Sequence, residues 1–147
     1  VSAVLFFLDQ YYLFSNYSAL AVKYKGIVYP TSEHAYQAAK FTKRKISNMI
    51  RDAQSPSEAK KISDLHKDDL RTDWFSIKVQ TMSEILHEKA KQHEELQKKL
   101  TETGNAQIIE NSDDDFWGRG KDNNGQNLLG KIWMQIRKEL TNSRLTE

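Results

Sequence analysis

A chain of 147 residues with 38% hydrophobic and 10% aromatic side chains can bury one substantial core, so a single domain over residues 1–147 is the expectation. It holds no cysteine, which excludes disulfides, thiolate metal sites and thiolate nucleophiles and makes a reducing cytoplasm the expected compartment. The 22 basic and 20 acidic residues are mixed along the chain and leave a net charge of +2, so any anion site has to be local rather than a whole-molecule field.

The early apolar run Val4 to Leu8 is too short to span a bilayer, lacks a basic flank and a small-residue cleavage site, and reads as a strand. Tyr11 to Ser18 is aromatic and irregular. Ala21 to Tyr24 and Ile27 to Tyr29 read as short strands of a hairpin turning at Gly26. Pro30-Thr31-Ser32-Glu33 then carries a helix-start signature, with a hydroxyl cap and an acid in the first turn, leading into His34 to Phe41. Ser55-Pro56-Ser57-Glu58 repeats that logic, with Pro56 at the first helical position, and predicts a short helix ending before Leu70. From Trp74 onward, Phe75, Val79, Met82, Leu86, Ala90, Leu96 and Leu100 recur at helical spacing, predicting one long amphipathic helix that stops at Gly104. Gln107 to Glu110 reads as a short strand and Asn111 to Asn127 as a polar, glycine-bearing loop. Leu129, Ile132, Trp133, Ile136 and Leu140 mark a C-terminal helix. The class expected is mainly α with a few short β-strands. The basic clusters Lys40 to Lys45 and Lys98-Lys99 read as solvated helix faces.

Two stretches carry groups capable of chemistry. Glu33, Tyr36, Gln37 and Lys40 fall at i, i+3, i+4 and i+7 and share one helix face that is polar where a core face should be apolar. A carboxylate and an ammonium two turns apart can flank a bound substrate, and partial burial tunes both toward acid–base or amine chemistry. The plainer reading is an exposed face with an interfacial tyrosine. The second stretch is Asp113-Asp114-Asp115-Phe116-Trp117-Gly118-Arg119-Gly120, where glycines let backbone N–H groups approach an anion, Arg119 can clamp a phosphate and Trp117 offers a flat face to a base. Its plainer reading is an acidic loop anchored by Trp117, and it lacks the alternating oxygen ligands and terminal glutamate of a calcium loop. Leu70-Arg71-Thr72-Asp73-Trp74 adds a helix head in which Trp74 serves either the core or stacking. His34, His66, His87 and His93 show no zinc-binding spacing and read as structural.

In order along the chain, Phe14-Ser15-Asn16-Tyr17, Tyr29-Pro30-Thr31-Ser32-Glu33-His34, Gln37-Ala38-Ala39-Lys40-Phe41, Ser55-Pro56-Ser57-Glu58-Ala59, Arg71-Thr72-Asp73-Trp74, Trp117-Gly118-Arg119-Gly120 and Gly125-Gln126-Asn127-Leu128-Leu129-Gly130 resemble the NADAR, or YbiA-like, superfamily. The resemblance runs from about Phe6 to Leu140. It implies a compact, largely helical fold and an N-glycosidase that needs neither cofactor nor metal. Its substrates would be ribosylaminopyrimidine phosphates of riboflavin biosynthesis or ADP-ribosylated guanine, free or in nucleic acid, with no membrane partner.

Matched by motif, the family's active-site glutamate falls on Glu33, its tryptophan on Trp74, its lysine on Lys40 and its acidic residue before Trp-Gly on Asp115, with Asp113 the alternative. Substrate contacts are implied for Phe14, Ser15, Asn16, Tyr17, Ser32, His34, Gln37, Arg71, Trp117, Gly118, Arg119, Gly120 and Asn127. One departure stands out: similar proteins often carry Gly-Arg where this chain has Ser63-Asp64, which weakens one phosphate contact that the resemblance implies and leaves the exact substrate open. On this expectation Glu33 stabilises positive charge at C1′ of the ribose, Asp115 positions a ribose hydroxyl or the departing nitrogen, and Arg119 holds phosphate. Lys40 either contacts phosphate or attacks as an amine. The rival expectation is a non-catalytic module that binds ADP-ribose or NAD with the same groups.

Overall fold

The computed structural model describes residues 3–6 and 11–146. Its contacts divide the chain into two units, one comprising Asn16–Lys89 and the other Val1–Ser15 with Ala90–Glu147. Phe7 and Leu8, the end of the expected first strand, lie outside the described residues.

The unit of residues 16–89 begins with an antiparallel hairpin, strand β1 (Val4–Phe6) belonging to the other unit. Strand β2 (Val22–Tyr24) pairs with β3 (Ile27–Tyr29) through Val22↔Tyr29, Lys23↔Val28 and Tyr24↔Ile27. Lys25 and Gly26 both take positive φ, 50° and 82°, the two left-handed residues that a tight turn matched to strand twist requires. Helix α1 (Ser32–Ala39) starts as expected, with Thr31 extended and its side chain accepting the His34 N–H. It ends at Ala39, two residues short of Phe41. Helix α3 (Pro56–Leu65) is capped by Ser55, which accepts the Glu58 N–H, while the Glu58 carboxylate reaches back to the Gln54 N–H at 3.0 Å. Between them runs α2 (Arg44–Arg51), where the sequence reading had only a basic cluster. It buries Ile46 and Ile50, one turn apart, and leaves the charged remainder to solvent. Helix α1 packs on α2, on α3 and on the hairpin.

The expected long helix is two helices. Helix α4 (Trp74–Gln92) stops at His93, whose φ of −128° and ψ of 103° are extended, and α5 (Glu94–Glu102) restarts after it. The Gln97 side-chain amide donates to the Ala90 carbonyl at 2.8 Å, taking up an acceptor that the interruption exposes. Leu96 and Leu100 stay fully buried, so the apolar phase crosses the break unchanged and hides it from a periodicity argument. Gly104 takes the left-handed conformation at the stop, φ 59°.

In the other unit β1 (Val4–Phe6) pairs in parallel with β4 (Ile108–Glu110), Val4 opposite Ile108. Helix α6 (Leu128–Thr146) packs on β4 and on α5. The approach to β4 is so close that a Cβ on Gly130 would run into the Ile108 carbonyl oxygen. The core gathers Phe6, Phe14, Leu96, Leu100, Ile108 and Trp133, with the Trp133 indole N–H bound to the Phe14 carbonyl at 3.0 Å. Among the described residues no helix is long and apolar enough to cross a membrane.

Candidate active site

The polar face of α1 is buried, which overturns the plainer reading of an exposed face. Glu33 is 7% exposed, and Tyr36 and Gln37 are buried beside it, while Lys40, at the helix end, is half-buried. Lys40 is therefore not part of a solvated cluster, although Lys43 is, and pairs with Asp69. Glu33 sits in the first turn of α1, where the helix dipole favours an anion. Its N–H is held by the Asn16 carbonyl at 3.1 Å. The Gln37 amide donates to the Glu33 carboxylate at 2.7 Å.

Burial raises the Glu33 pKa above the ordinary carboxyl value, while the Gln37 hydrogen bond and the charges of Lys40 and Lys60 pull it down and Asp64 pushes it up. Burial lowers the pKa of Lys40, against the attraction of Glu33 and Asp64 and with the repulsion of Lys60 and Lys78. Each group is thus moved toward its neutral form by desolvation and held toward its charged form by the other. Tyr17 stands at the same place: burial raises its pKa first, then the charges of Glu33 and Asp64.

The Lys40 ammonium lies 5.4 Å from the Tyr36 ring centroid and 5.8 Å from that of Trp74, and the two rings meet edge-on at 5.2 Å. There a cavity of about 270 Å³ opens, lined by Lys40, Ser63, Asp64, Lys67, Leu70, Trp74 and Phe75. Phe75 is 74% exposed at its edge, with the Lys78 ammonium 5.4 Å over its ring. The cavity offers a flat aromatic wall, an amine or ammonium on Lys40 and the Asp64 carboxylate, which suits a sugar carrying an aromatic base; Glu33 is not among its lining residues and interacts with it through the charge of Lys40.

Arg71 fixes the frame. Its N–H binds the Lys40 carbonyl at 2.9 Å, and its guanidinium holds both carboxylate oxygens of Asp73 and reaches the Ala39 carbonyl. Ser32 donates to Asn16 Oδ1 at 2.8 Å, so these two residues clasp the start of α1. His34 is buried with one ring nitrogen on Thr31 Oγ1 and the other on the Ala53 carbonyl, which ties α1 to the end of α2.

The tryptophan loop belongs to the other unit. Asp114, which the sequence reading passed over, accepts the N–H groups of Phe116 and Trp117 at 2.8 and 2.7 Å and so shapes the turn. Asp113 and Asp115 are exposed, and Gly120, at φ 75°, lies under the Asp115 carboxylate, where a Cβ would collide with it. Gly118 is buried at the turn, and Trp117 is half-buried with Phe116 edge-on at 4.8 Å. The Arg119 guanidinium binds Asn123 Oδ1 at 2.6 Å and Asn111 Oδ1 at 3.2 Å. Asn127, also at positive φ, bridges β4 by accepting the Glu110 N–H and donating to the Ile108 carbonyl, both at 2.9 Å. Phe14 is a core ring of this unit, packed against Phe6, Tyr11 and Trp133, and Ser15 is buried next to it.

The sequence reading did not single out Lys67, Leu70 or Phe75 as lining a cavity, and it met Ser63-Asp64 only as a departure from the family pattern. It also missed Lys89, fully buried in α4 with hydrogen bonds to Ser18 and Ser32 at 3.0 and 3.1 Å, whose pKa burial lowers to about 7. The signal was present: Met82, Ile85, Leu86 and Lys89 fall on one helical stripe, and the lysine interrupts it.

A family model described as the NADAR domain matches residues 5–141. The chain is 38% identical over 133 residues to N-glycosidase YbiA of Escherichia coli (strain K12), covering 90% of this chain and 83% of that protein. It is 35% identical over 127 residues to a riboflavin biosynthesis protein of Vibrio vulnificus, covering 86% of this chain and 35% of that protein. The NMR structure of the E. coli protein YbiA is similar with a TM-score of 0.89 at 36% identity, over 99% of this chain and 89% of that one.

Proposed function

The chain belongs to the NADAR family, and on that footing we propose that it is an N-glycosidase hydrolysing the bond between C1′ of a phosphorylated ribose and a nitrogen base, with Glu33 at the reaction centre. The observation that carries this reading is the Glu33 carboxylate, buried, hydrogen-bonded by Gln37 and in electrostatic interaction with Lys40, which in turn lines an aromatic-walled cavity. Cleavage of the C1′–N bond sends its electron pair to the leaving nitrogen and builds positive charge on the sugar. An ionised Glu33 stabilises that charge in a medium where Coulomb terms are strong. It also accepts a proton from the water whose oxygen bonds to C1′, and that proton can pass to the departing nitrogen. Trp74 walls the base.

Lys40 has two roles open to it, contact with phosphate or attack as an amine on C1′, which displaces the base and opens the C1′–O ring bond to a Schiff base that water then hydrolyses. Asp115 and Arg119 enter this proposal on their motif, Asp115 for a ribose hydroxyl or the leaving nitrogen and Arg119 for phosphate.

The substrate we propose is a ribosylaminopyrimidine phosphate. A cavity of about 270 Å³ is at the small end for ligand sites and suits a single base with its sugar, and one relative carries a riboflavin biosynthesis name. The test offers the purified protein a ribosylaminopyrimidine phosphate and ADP-ribosylated guanosine in parallel and measures released sugar. Faster release from the pyrimidine supports the proposal. Release from the guanosine alone moves the substrate to ADP-ribose conjugates, and binding of ADP-ribose with no release from either leaves the non-catalytic module standing.

A further inference from the structure

Lys89 places a protonatable amine where packing asks for an apolar side chain. It lies fully buried on the stripe of α4 that Met82, Ile85 and Leu86 make apolar, and it lines no cavity described above. Its Nζ donates to Ser18 Oγ at 3.0 Å and to Ser32 Oγ at 3.1 Å. A hydroxyl has one proton, and a lone pair occupied by an ammonium obliges Ser32 to spend that proton on another acceptor. Two stand within reach, Asn16 Oδ1 at 2.8 Å and the Asn16 carbonyl at 3.4 Å. That carbonyl is the oxygen that holds the Glu33 N–H at 3.1 Å. Hydrogen bonds thus run from the buried ammonium through Ser32 and Asn16 to the backbone of Glu33.

Burial lowers the hold of Lys89 on its proton, and a buried charged group, even a paired one, is often no more stabilising than a hydrophobic side chain of similar size. We propose that Lys89 is a positioning residue for Glu33: through Ser32 and Asn16 it sets the first turn of α1 and so the place of the carboxylate. This rests on the reading of Glu33 as the reacting carboxylate.

The experiment compares wild type, Lys89→Met, Ser32→Ala and the double variant by kcat, by KM and by hydrogen exchange at the Glu33 amide, with Glu33→Gln as the reference for loss of the reacting group. In Lys89→Met the melting temperature holds or rises, KM stays within about threefold, and kcat falls by about tenfold or more. Exchange protection of the Glu33 N–H drops by a similar factor, while that of Ala59 at the start of α3 does not change. Adding Ser32→Ala to Lys89→Met costs nothing further, because the two act in one network. Wild-type kcat with unchanged Glu33 protection, or losses that multiply in the double variant, overturns the proposal. Should Lys89→Met not fold, Ser32→Ala alone must show the kcat loss and the lost protection, and their absence is equally fatal. Equal turnover by wild type and Glu33→Gln removes Glu33 from the chemistry, and the exchange data still decide whether Lys89 holds the turn.

Discussion

Gln37 donates its side-chain amide to the Glu33 carboxylate at 2.7 Å, one helical turn away, while its side-chain oxygen Oε1 is buried with no hydrogen-bond partner among the described residues. The amide therefore favours the ionised form of Glu33, which accepts its N–H more strongly than the neutral acid does. Replacing Gln37 with Leu removes the hydrogen bond that most lowers the Glu33 pKa and leaves burial less opposed. The acid limb of the kcat/KM profile then moves to higher pH. A limb that stays in place, measured from pH 4 to 9, separates Gln37 from the ionisation of Glu33.

The same raised pKa sets the sign of a stability effect. Because folded Glu33 binds its proton more tightly than the unfolded chain does, stability is fully present below the ordinary carboxyl value of 4.5 and is lost as pH rises through the raised value. Glu33→Gln abolishes that loss. Its melting temperature exceeds that of wild type at neutral pH, and the gap closes as pH falls below the ordinary carboxyl range. Differential scanning fluorimetry across pH reads this directly, and a variant less stable than wild type at neutral pH contradicts the assignment of burial as the cause.

Trp74 is buried and meets Tyr36 at 5.2 Å, so it serves the packing of its unit as well as the cavity wall. Trp74→Ala costs about 3–5 kcal/mol by the cavity it leaves. Trp74→Phe keeps most of the packing, and the effect expected there is a several-fold rise in KM with little change in melting temperature. Chemical denaturation and steady-state kinetics on the two variants separate wall from core.

The net effect on Lys40 is a weaker hold on its proton, which favours the amine route of the two open to it. Borohydride added during turnover is expected to leave a sugar-phosphate adduct on Lys40, seen by peptide mass spectrometry and absent in Lys40→Arg. An unmodified lysine under conditions of active turnover assigns it to phosphate instead.

Much of this site was legible because its start is local. Thr31 as cap, Glu33 in the first turn and the polar face to Lys40 all follow from a stretch of ten residues, and the caps of α1 and α3 formed as their sequences require. What was not legible depends on non-local packing. That the polar face would be buried follows from α2, α3 and the hairpin closing over α1, and α2 itself has only Ile46 and Ile50 as an apolar signal. Tyr36 and Trp74 are neighbours only because α4 starts where Arg71 is tied to the end of α1. The break at His93 was hidden because Leu96 and Leu100 continue the apolar phase of α4. Lys89 is legible only as an interruption of the apolar stripe Met82, Ile85 and Leu86, and its burial depends on the packing of Ser18 and Ser32 from distant parts of the chain. Asp114, rather than the acids the motif pointed to, shapes the tryptophan turn, since the two N–H groups it accepts are set by loop geometry that no spacing rule encodes.

The claim on which the account rests is that the buried carboxylate of Glu33 takes part in breaking the C1′–N bond. Single-turnover release of base from a saturating ribosylaminopyrimidine phosphate, followed for wild type and for Glu33→Gln, tests it most directly. The account predicts that the rate constant falls on the order of a thousandfold while substrate still binds. A Glu33→Gln protein that releases base at the wild-type rate contradicts it.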